Sequence, residues 1–383
     1  YLGFMKNKKL LLISLNELNF ELIEKYIDKY NLKNLNYIKN NISTTNSEKE
    51  YKLLEPWIQW FSAYNGLEAK NHGVTRLGDG ASSKFNSVFK DLNDNGIKVG
   101  AISPMNISND LKSSDFFIPD PWIITKSSDD LWHKLIHQSI SELVKDNARK
   151  KNKFKNYFIF FIVFLKFSTL KRYPTYFQLF FKSLKKKWYK SLFLDYFLHD
   201  LHLKFIRKYK TDFSNIFFNS IAHIQHHYLF NSIMSDEKKK NPDWYLSNKE
   251  DPFKDSLIIF DKILGDYIKM ESNYSIIVAT GLRQIFYDSK KFYYRLKNHE
   301  SFFSNFGIKF NNIQELMSRD FIITFNNHED CQKSYKIISK IVTEKEKNIF
   351  GDFDINKNKL FLTLIYNEEI IDQKINANNK TIS

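Results

Sequence analysis

Residues 10–17 read LLLISLNE, and this stretch decides the class of fold. The run from Leu10 to Leu15 is apolar apart from Ser14, which is typical of a strand buried on both faces of a parallel sheet. Asn16 and Glu17 follow at once, so the run is too short for the apolar region of a secretion signal. A polar pair directly after a buried strand is expected at the edge of an α/β sheet where ligands bind.

Further strands and helices alternate along the chain from this first strand. Apolar periodicity predicts helices over 20–30, 85–95 and 255–270, and strands over 97–103, 216–220 and 274–280. This alternation predicts an α/β protein with a doubly wound, mostly parallel central sheet. We expect residues 5–144 to form the first part of that domain and residues 211–383 the second, with strands over 320–325 and 359–365 and a helix over 329–344.

The segment between these two parts, residues 145–210, differs in composition. It holds 18 Lys and Arg against three acidic residues, an excess of +15 that equals the net charge of the whole chain. It is rich in aromatic residues and is predicted to form an inserted basic helical cap. Two interpretations stay open: a membrane-surface patch formed by Lys185, Lys186, Lys187 and Trp188, or a helical insertion that packs its aromatic residues on the main domain. No nucleic-acid-binding motif is present, so no nucleic acid is expected as a partner.

Four segments occur in an order that resembles the alkaline phosphatase superfamily, an α/β class of metallohydrolases. Within it they are most similar to the type I phosphodiesterases and nucleotide pyrophosphatases, which are related to sulfatases. The segments are LLISLNEL (11–18), PWIQW through NGL to NHGV (56–74), NSIAH (219–223) and VATGL (278–282).

The resemblance implies an alkaline-phosphatase-like sheet and a site with two divalent metals, Zn²⁺ or Mn²⁺, at the strand ends. Several of the positions that it points to hold other residues here. Asn16, or Glu17 beside it, stands where the family has a metal-binding Asp, and Pro56 stands where its nucleophilic Thr is expected. Asn219 and Gly281 also replace Asp residues, whereas His223 matches. The cofactor is therefore expected to be Zn²⁺ or Mn²⁺ if the family site is retained, and otherwise none.

Candidate site residues follow from these strand ends. A metal-independent reaction would use a carboxylate as base and a histidine as acid. The catalytic candidates are Glu17, Glu55, Gln59 and His223. The substrate-binding candidates are Asn16, Trp57, Trp60, His72, Arg76, Asn219 and Arg283. His223 and His227 lie four residues apart and form a candidate metal pair. The alternatives are a turn histidine at position 72, surface salt bridges for the two arginines, and a turn with two core tryptophans at 55–60.

The sequence favours a hydrolase acting on a phosphate or sulfate ester, carried by a cell-surface glycan or a lipid-linked sugar. The alternative is an inactive pseudoenzyme that binds a glycan or a protein partner at a membrane surface. A single cysteine, Cys331, rules out an internal disulfide and a cysteine-rich zinc site. We expect a cytoplasmic location, with peripheral contact to an anionic membrane if the cap binds lipid.

Overall fold

The computed structural model describes residues 9–46, 48–145, 153–236, 239–288, 291–316, 319–370, 375–377 and 380–382. The chain divides into two compact units, residues 1–287 and residues 288–383. The sequence predicts no boundary near residue 287. No glycine or proline occurs from 282 to 300 to mark a linker, and the patterns on either side of this stretch are both apolar.

The first unit contains a five-stranded sheet and most of the helices. Its strands are β1 (Lys9–Leu15), β2 (Val99–Ile102), β3 (Phe116–Ile118), β4 (Phe213–Phe218) and β5 (Tyr274–Ala279). Its α-helices are α1 (Glu24–Tyr30), α2 (Lys33–Lys39), α3 (Pro56–Asn65), α4 (Ala69–His72), α5 (Val88–Asp94), α6 (Leu131–Lys145), α7 (Lys153–Phe167), α8 (Tyr173–Ser183), α9 (Trp188–Tyr209), α10 (Ser220–Tyr228) and α11 (Pro252–Ile268).

The strands of this sheet lie in the order β3-β2-β4-β1-β5, and all four pairings are parallel. The last residue of β1, Leu15, pairs with Phe218 at the end of β4, and Ser14 pairs with Ala279 at the end of β5. The residues that follow these three strands therefore meet at one edge of the sheet. This arrangement confirms the predicted α/β class with a parallel sheet.

Helices cover both faces of the sheet because alternate residues of β1 point to opposite sides. Leu11, Ile13 and Leu15 belong to a core cluster that α9, α10 and α11 complete. Leu10 and Leu12 pack against a second cluster on the other face, which contains Trp60 of α3 and Phe89 of α5. The site-bearing edge is thus held between two packed layers.

The basic segment is helical where the structure describes it, but its three helices have different roles. Helix α9 belongs to the core of the unit, with residues such as Leu192, Phe197 and Leu201 fully buried. Among the described residues of this segment, the large exposed apolar side chains lie on α7, on α8 or directly beside these helices, so the exposed cap is smaller than residues 145–210. Among the described residues, no helix has both the length and the apolarity to cross a membrane.

The second unit has its own sheets and its own core. Strands β6 (Asn312–Glu315), β7 (Asp320–Thr324), β9 (Phe350–Asn356) and β10 (Lys359–Leu364) form an antiparallel sheet in the order β6-β7-β10-β9. Strands β8 (Val342–Thr343), β11 (Ile375–Ala377) and β12 (Lys380–Ile382) form a smaller one, and the helices are α12 (His299–Asn305) and α13 (His328–Ile338). The two strands predicted here are present, but the helix predicted over 329–344 ends at Ile338, and Val342–Thr343 within that range forms β8. The sheet of these strands is separate from the parallel sheet, since both neighbours of β10 run antiparallel to it.

Candidate functional site

The candidate site lies at the carboxyl edge of the parallel sheet, where β1, β4 and β5 end. The Asn16 N–H donates to the Phe218 carbonyl and the Glu17 N–H donates to the Thr280 carbonyl, each at 3.0 Å. These bonds continue the hydrogen bonding of the parallel sheet beyond the end of β1. The side chains after β1, β4 and β5 are therefore placed close together.

Asn16 links three of the four predicted segments through its side-chain amide. Its Nδ2 donates to Asn219 Oδ1 at 2.8 Å, and its Oδ1 accepts a hydrogen bond from Trp60 Nε1 at 2.8 Å. Asn16 and Trp60 are almost completely buried. The structure therefore brings together the predicted residues Asn16, Asn219 and Trp60, and pairs their polar atoms with one another.

Glu17 has a left-handed backbone conformation, with φ at 60°. This conformation costs a non-glycine residue about 1–2 kcal/mol, and two bonds to the Glu17 carbonyl help to hold it: Gln225 Nε2 donates at 2.8 Å and the Gln284 N–H at 3.3 Å. The turn leaves the Glu17 side chain nearly buried at the sheet edge.

The Glu17 carboxylate forms an ion pair with the His226 imidazole, with 2.9 Å between Oε2 and Nε2. The same Oε2 accepts from Gln284 Nε2, and Oε1 accepts from Asn16 Nδ2 at 3.3 Å. The carboxylate is 3% exposed, whereas the His226 side chain is 50% exposed. The pair thus has one enclosed partner and one partner open to solvent.

Each partner of this pair favours the charged form of the other. Burial raises the pKa of Glu17, but hydrogen bonds from three neighbours and the His226 charge outweigh it, so the pKa lies below its ordinary value of 4.5. Loss of surrounding water lowers the pKa of His226, but the bond and charge of Glu17, together with the charge of Glu55, raise it above its ordinary 6.5. A carboxylate and an imidazolium therefore coexist at mildly acidic pH.

Gly281, the second residue after β5, lies against the indole of Trp60. Its φ is 69°, and a Cβ atom added there would lie 2.7 Å from Trp60 Cε2. A residue with a side chain at this position would need both a left-handed backbone and a displaced Trp60. The glycine is therefore required by the packing of the indole that bonds to Asn16.

The strand-end residues do not suit the two divalent metals that the resemblance implies. Asn16 and Asn219 offer neutral amides that are already paired, and neutral oxygens offset no metal charge. His223 and His227 are exposed on α10 with ring centroids 4.6 Å apart, and His227 Nδ1 lies 3.1 Å from the Tyr245 hydroxyl. Within the described ranges no cluster of three or more His, Cys, Asp or Glu could hold a metal ion.

The predicted residues of the 55–60 stretch lie at the start of α3. Glu55 is exposed at the helix N-cap, and its charge reaches His226. Gln59 Nε2 donates to the Leu53 carbonyl at 2.8 Å, and Trp57 Nε1 donates to the Thr75 carbonyl at 3.1 Å. The polar groups of Gln59 and Trp57 are thus hydrogen-bonded to backbone carbonyls of nearby loops. Glu55 is the residue of this stretch whose charge raises the pKa of His226.

Three other binding candidates have their main contacts within the protein. His72 Nδ1 accepts from the Val74 N–H at 3.0 Å, and its Nε2 lies 2.8 Å from Ser62 Oγ, so this buried histidine closes a turn. Arg283 forms a surface ion pair with Glu21. Arg76 is exposed, and its backbone N–H donates to Asp79 Oδ2 at 2.8 Å.

The four predicted membrane-surface residues have different environments. Trp188 is 4% exposed, and its indole donates to Asp255 Oδ2 at 3.0 Å, so its side chain is enclosed by protein. Lys186 forms an ion pair with Glu250 at 2.9 Å. Lys185 and Lys187 are exposed.

His226, Gln225 and Gln284 are site residues that are not among the candidates predicted from the sequence. Asn219 and Ser220 begin α10, and the buried face of that helix, Ile221, Ala222 and Ile224, continues with Gln225. A buried glutamine on an otherwise apolar helix face is the sequence signal that this face meets a polar partner. The sequence predicts His223 as the site histidine, but the structure pairs His226, three residues later on α10, with Glu17.

Comparison with models of known protein families gives no match to this chain. Comparison with curated proteins gives no match either.

Proposed function

We propose that this chain is an alkaline-phosphatase-like hydrolase of a phosphate or sulfate ester, in which the Glu17–His226 pair replaces the family's metals. The ester would belong to a cell-surface glycan or a lipid-linked sugar. The observation that carries the proposal is an enclosed carboxylate 2.9 Å from a half-exposed imidazole, whose pKa it raises, at the carboxyl edge of a parallel sheet. Ligands of doubly wound folds bind at this edge.

The chemistry assigned to each residue is simple. His226 in its charged form attracts the anionic ester and donates its proton to the leaving alcohol oxygen. A water molecule supplies the hydroxyl group that ends on phosphorus or sulfur, and its remaining proton returns to His226. Glu17 is a positioning residue, since its carboxylate orients the ring and stabilises the charge. Glu55 adds to that stabilisation from the start of α3.

One observation favours the alternative, a protein that binds such an ester without cleaving it. The Glu17 carboxylate accepts bonds from three side chains, and both ends of the Asn16 amide are paired. These bonds make the site a rigid polar surface, which suits recognition as well as catalysis.

The test uses the full chain in EDTA with p-nitrophenyl phosphate, bis(p-nitrophenyl) phosphate and p-nitrophenyl sulfate. We expect hydrolysis that falls at least about 100-fold in His226→Gln, the range of a lost general acid, and less in Glu17→Gln. His328→Gln, in the second unit, is the matched control. Without hydrolysis, calorimetric binding of inorganic phosphate or sulfate that His226→Gln abolishes would favour the binding protein. Neither activity nor binding would overturn both assignments.

A further inference from the structure

Helices α7 and α8 carry a broad apolar surface that faces solvent. On α7 it comprises Tyr157, Phe158, Phe161, Ile162 and Leu165, and on α8 Phe177, Phe180 and Phe181; Leu170 lies between the helices and Leu184 directly follows α8. We refer to these ten residues as the cap face. Phe161 is 54% exposed, Phe181 is 63% exposed and Leu184 is 68% exposed. Soluble monomers rarely expose so many large apolar side chains side by side.

Both helices present this surface away from the protein because both pack on α9 through their opposite sides. On α7, Phe160 and Phe164 contact Phe197 of α9. On α8, Tyr176 contacts Tyr196 of α9. On each helix the residues of the cap face lie at helical spacing on the side opposite these packed aromatic residues. Phe164 of α7 also contacts Tyr176 of α8, so the two helices are neighbours.

A buried polar network fixes the connection between the two helices. Arg172 forms ion pairs with Asp200 at 3.2 Å and with Asp266 at 2.8 Å. Asp200 also accepts bonds from the backbone N–H and the hydroxyl of Thr169, both at 2.6 Å. The cap face is therefore a preformed surface, since its supporting turn is tied to α9 and α11.

The charged residues within the cap helices and their connections have a single sign. From Lys153 to Lys190 the sequence contains ten Lys and Arg and no Asp or Glu. Exposed lysines flank the apolar residues at both ends of the helices, among them Lys155, Lys171 and Lys185. Long basic side chains at the border of an apolar surface place their charge at the level of lipid headgroups while their stems cover apolar area.

This combination of shape and charge selects one occupant among three. A second copy of the chain would bring two like-charged borders together, which opposes face-to-face pairing. A nucleic acid would need cations at the centre of the contact, where the cap face has Phe, Ile and Leu. An anionic lipid surface matches both the apolar centre and the basic border.

Helix length indicates how the cap would meet a bilayer. The 15 residues of α7 extend roughly 22 Å, which is shorter than the ~30 Å apolar thickness of a bilayer. The helices would therefore lie in the plane of the interface. We propose that the cap face inserts into the headgroup region of an anionic membrane and holds the first unit there. This inference stands apart from the proposed ester chemistry, since no residue of the site contributes to it.

Flotation of the full chain with lipid vesicles tests the proposal. We expect flotation with vesicles of 70% phosphatidylcholine and 30% phosphatidylglycerol and little with phosphatidylcholine alone. Each basic side chain near an anionic leaflet strengthens binding about fivefold. Lys185→Glu/Lys187→Glu should therefore lower the partition coefficient at least about 25-fold, whereas Lys25→Glu/Lys345→Glu, which changes the net charge equally, should lower it much less.

Removing the apolar contribution gives a second and independent comparison. Phe161→Ser/Phe181→Ser replaces exposed side chains and leaves the supporting contacts in place, and it should abolish flotation while circular dichroism stays unchanged. Tyr51→Ser, at a residue that is 76% exposed outside the cap, should float like the wild type. The proposal would be overturned if the wild type did not float. It would also be overturned if Lys185→Glu/Lys187→Glu and Phe161→Ser/Phe181→Ser both floated like the wild type. Retention on single-stranded RNA without flotation would assign the face to nucleic acid instead.

A fluorescent label measures insertion directly. The one native cysteine, Cys331, is buried in the second unit, so an introduced Phe161→Cys can be labelled selectively with an environment-sensitive dye. Anionic vesicles should shift its emission to the blue, whereas a label at Tyr51→Cys should not respond. Equal responses at the two sites would contradict insertion of the cap face.

Discussion

The His226 imidazole lies 2.9 Å from the carboxylate of Glu17, so two residues that are 209 positions apart in sequence form the charged centre of the sheet edge. Glu17 immediately follows Asn16 at the end of β1, and His226 lies in the last turn of α10. The pair links the turn after β1 to α10, the helix that follows β4.

The first prediction concerns pH. The contribution of Glu17 is present above pH 4.5 and is lost as the pH falls through its lowered folded pKa. The contribution of His226 is present below pH 6.5 and is lost as the pH rises through its raised folded pKa. His226→Gln should therefore lower the unfolding midpoint most between pH 4.5 and 6.5 and least in alkaline buffer.

Tryptophan fluorescence in urea measures this effect on the first unit alone, because all six tryptophans precede residue 288. His227→Gln, at the next residue of α10, is the control, since its ring contacts Tyr245. An effect of His226→Gln that is the same from pH 4 to pH 9 would contradict the charged pair.

The strand ends were predictable from sequence, and the partner of Glu17 was not. Buried parallel strands are continuous apolar runs, so LLLISL and YSIIVA identify β1 and β5 and place Asn16 and Gly281 at the same edge. The choice between His223 and His226 depends on the rotation of α10 about its axis. Packing against α9 and α11 sets this rotation, and no local pattern in SIAHIQHHY records it.

The boundary near residue 287 was unpredictable for a similar reason. Strands β7 and β10 have apolar runs like those of the parallel sheet, and pairing partners distant in sequence decide that they run antiparallel. Trp188 illustrates the reverse case. A tryptophan beside three lysines is typical of a membrane surface, yet the buried face of α9 encloses it. Composition identifies a basic segment, and tertiary packing decides which of its helices is exposed.

The second prediction tests the contact of Gly281 with Trp60. Gly281→Ala combines a left-handed backbone penalty of about 1 kcal/mol with overpacking of the indole, which costs about 1–3 kcal/mol. Gly66→Ala is a matched control because its φ of 65° is similar and nothing lies within 4 Å of its added Cβ. We expect Gly281→Ala to destabilise the first unit by about 2–4 kcal/mol in urea unfolding. Equal losses in the two variants would mean that the indole moves aside without cost.

The third prediction concerns the ion pairs that support the cap. Arg172→Met leaves Asp200 buried beside a neutral side chain, and the loss of one partner from a buried pair costs about 3–5 kcal/mol. Lys269 pairs with the same Asp266 as Arg172, at 3.2 Å, but is 78% exposed. Lys269→Met should therefore cost less than about 1 kcal/mol. Urea unfolding monitored by fluorescence measures both. If Arg172→Met and Lys269→Met both lost less than about 1 kcal/mol of stability, water would be able to replace the arginine.

The fourth prediction addresses a buried carboxylate behind the site. Asp195 of α9 is fully enclosed, and its Oδ2 accepts the Ser220 N–H at 2.8 Å, at the first residue of α10. Burial raises the pKa of Asp195 from 3.8 to about 6, although hydrogen bonds from Ser220 and the Asn219 backbone lower it in part. Near neutral pH the folded protein thus holds a charged group that burial disfavours.

The sign of the pH dependence follows from proton linkage. Between pH 3.8 and about 6 the folded chain binds a proton at Asp195 that the unfolded chain has released, so stability falls as the pH rises through this interval. The free energy of unfolding falls by about 3 kcal/mol in total, and the fall is complete above this pH interval. Asp195→Asn keeps an oxygen acceptor for the Ser220 N–H and removes the charge. It should match the wild type near pH 4 and become more stable than the wild type above pH 6.

Urea midpoints at pH 4, 5, 6, 7 and 8 measure this difference, and Asp28→Asn, at an exposed position on α1, serves as the control. If the stability of Asp195→Asn relative to the wild type increases through pH 5 and 6, the sheet edge retains a destabilising carboxylate. Such a carboxylate is expected where function requires negative charge at the start of α10. A constant loss at every pH would instead make Asp195 a structural cap whose charge stabilises the helix.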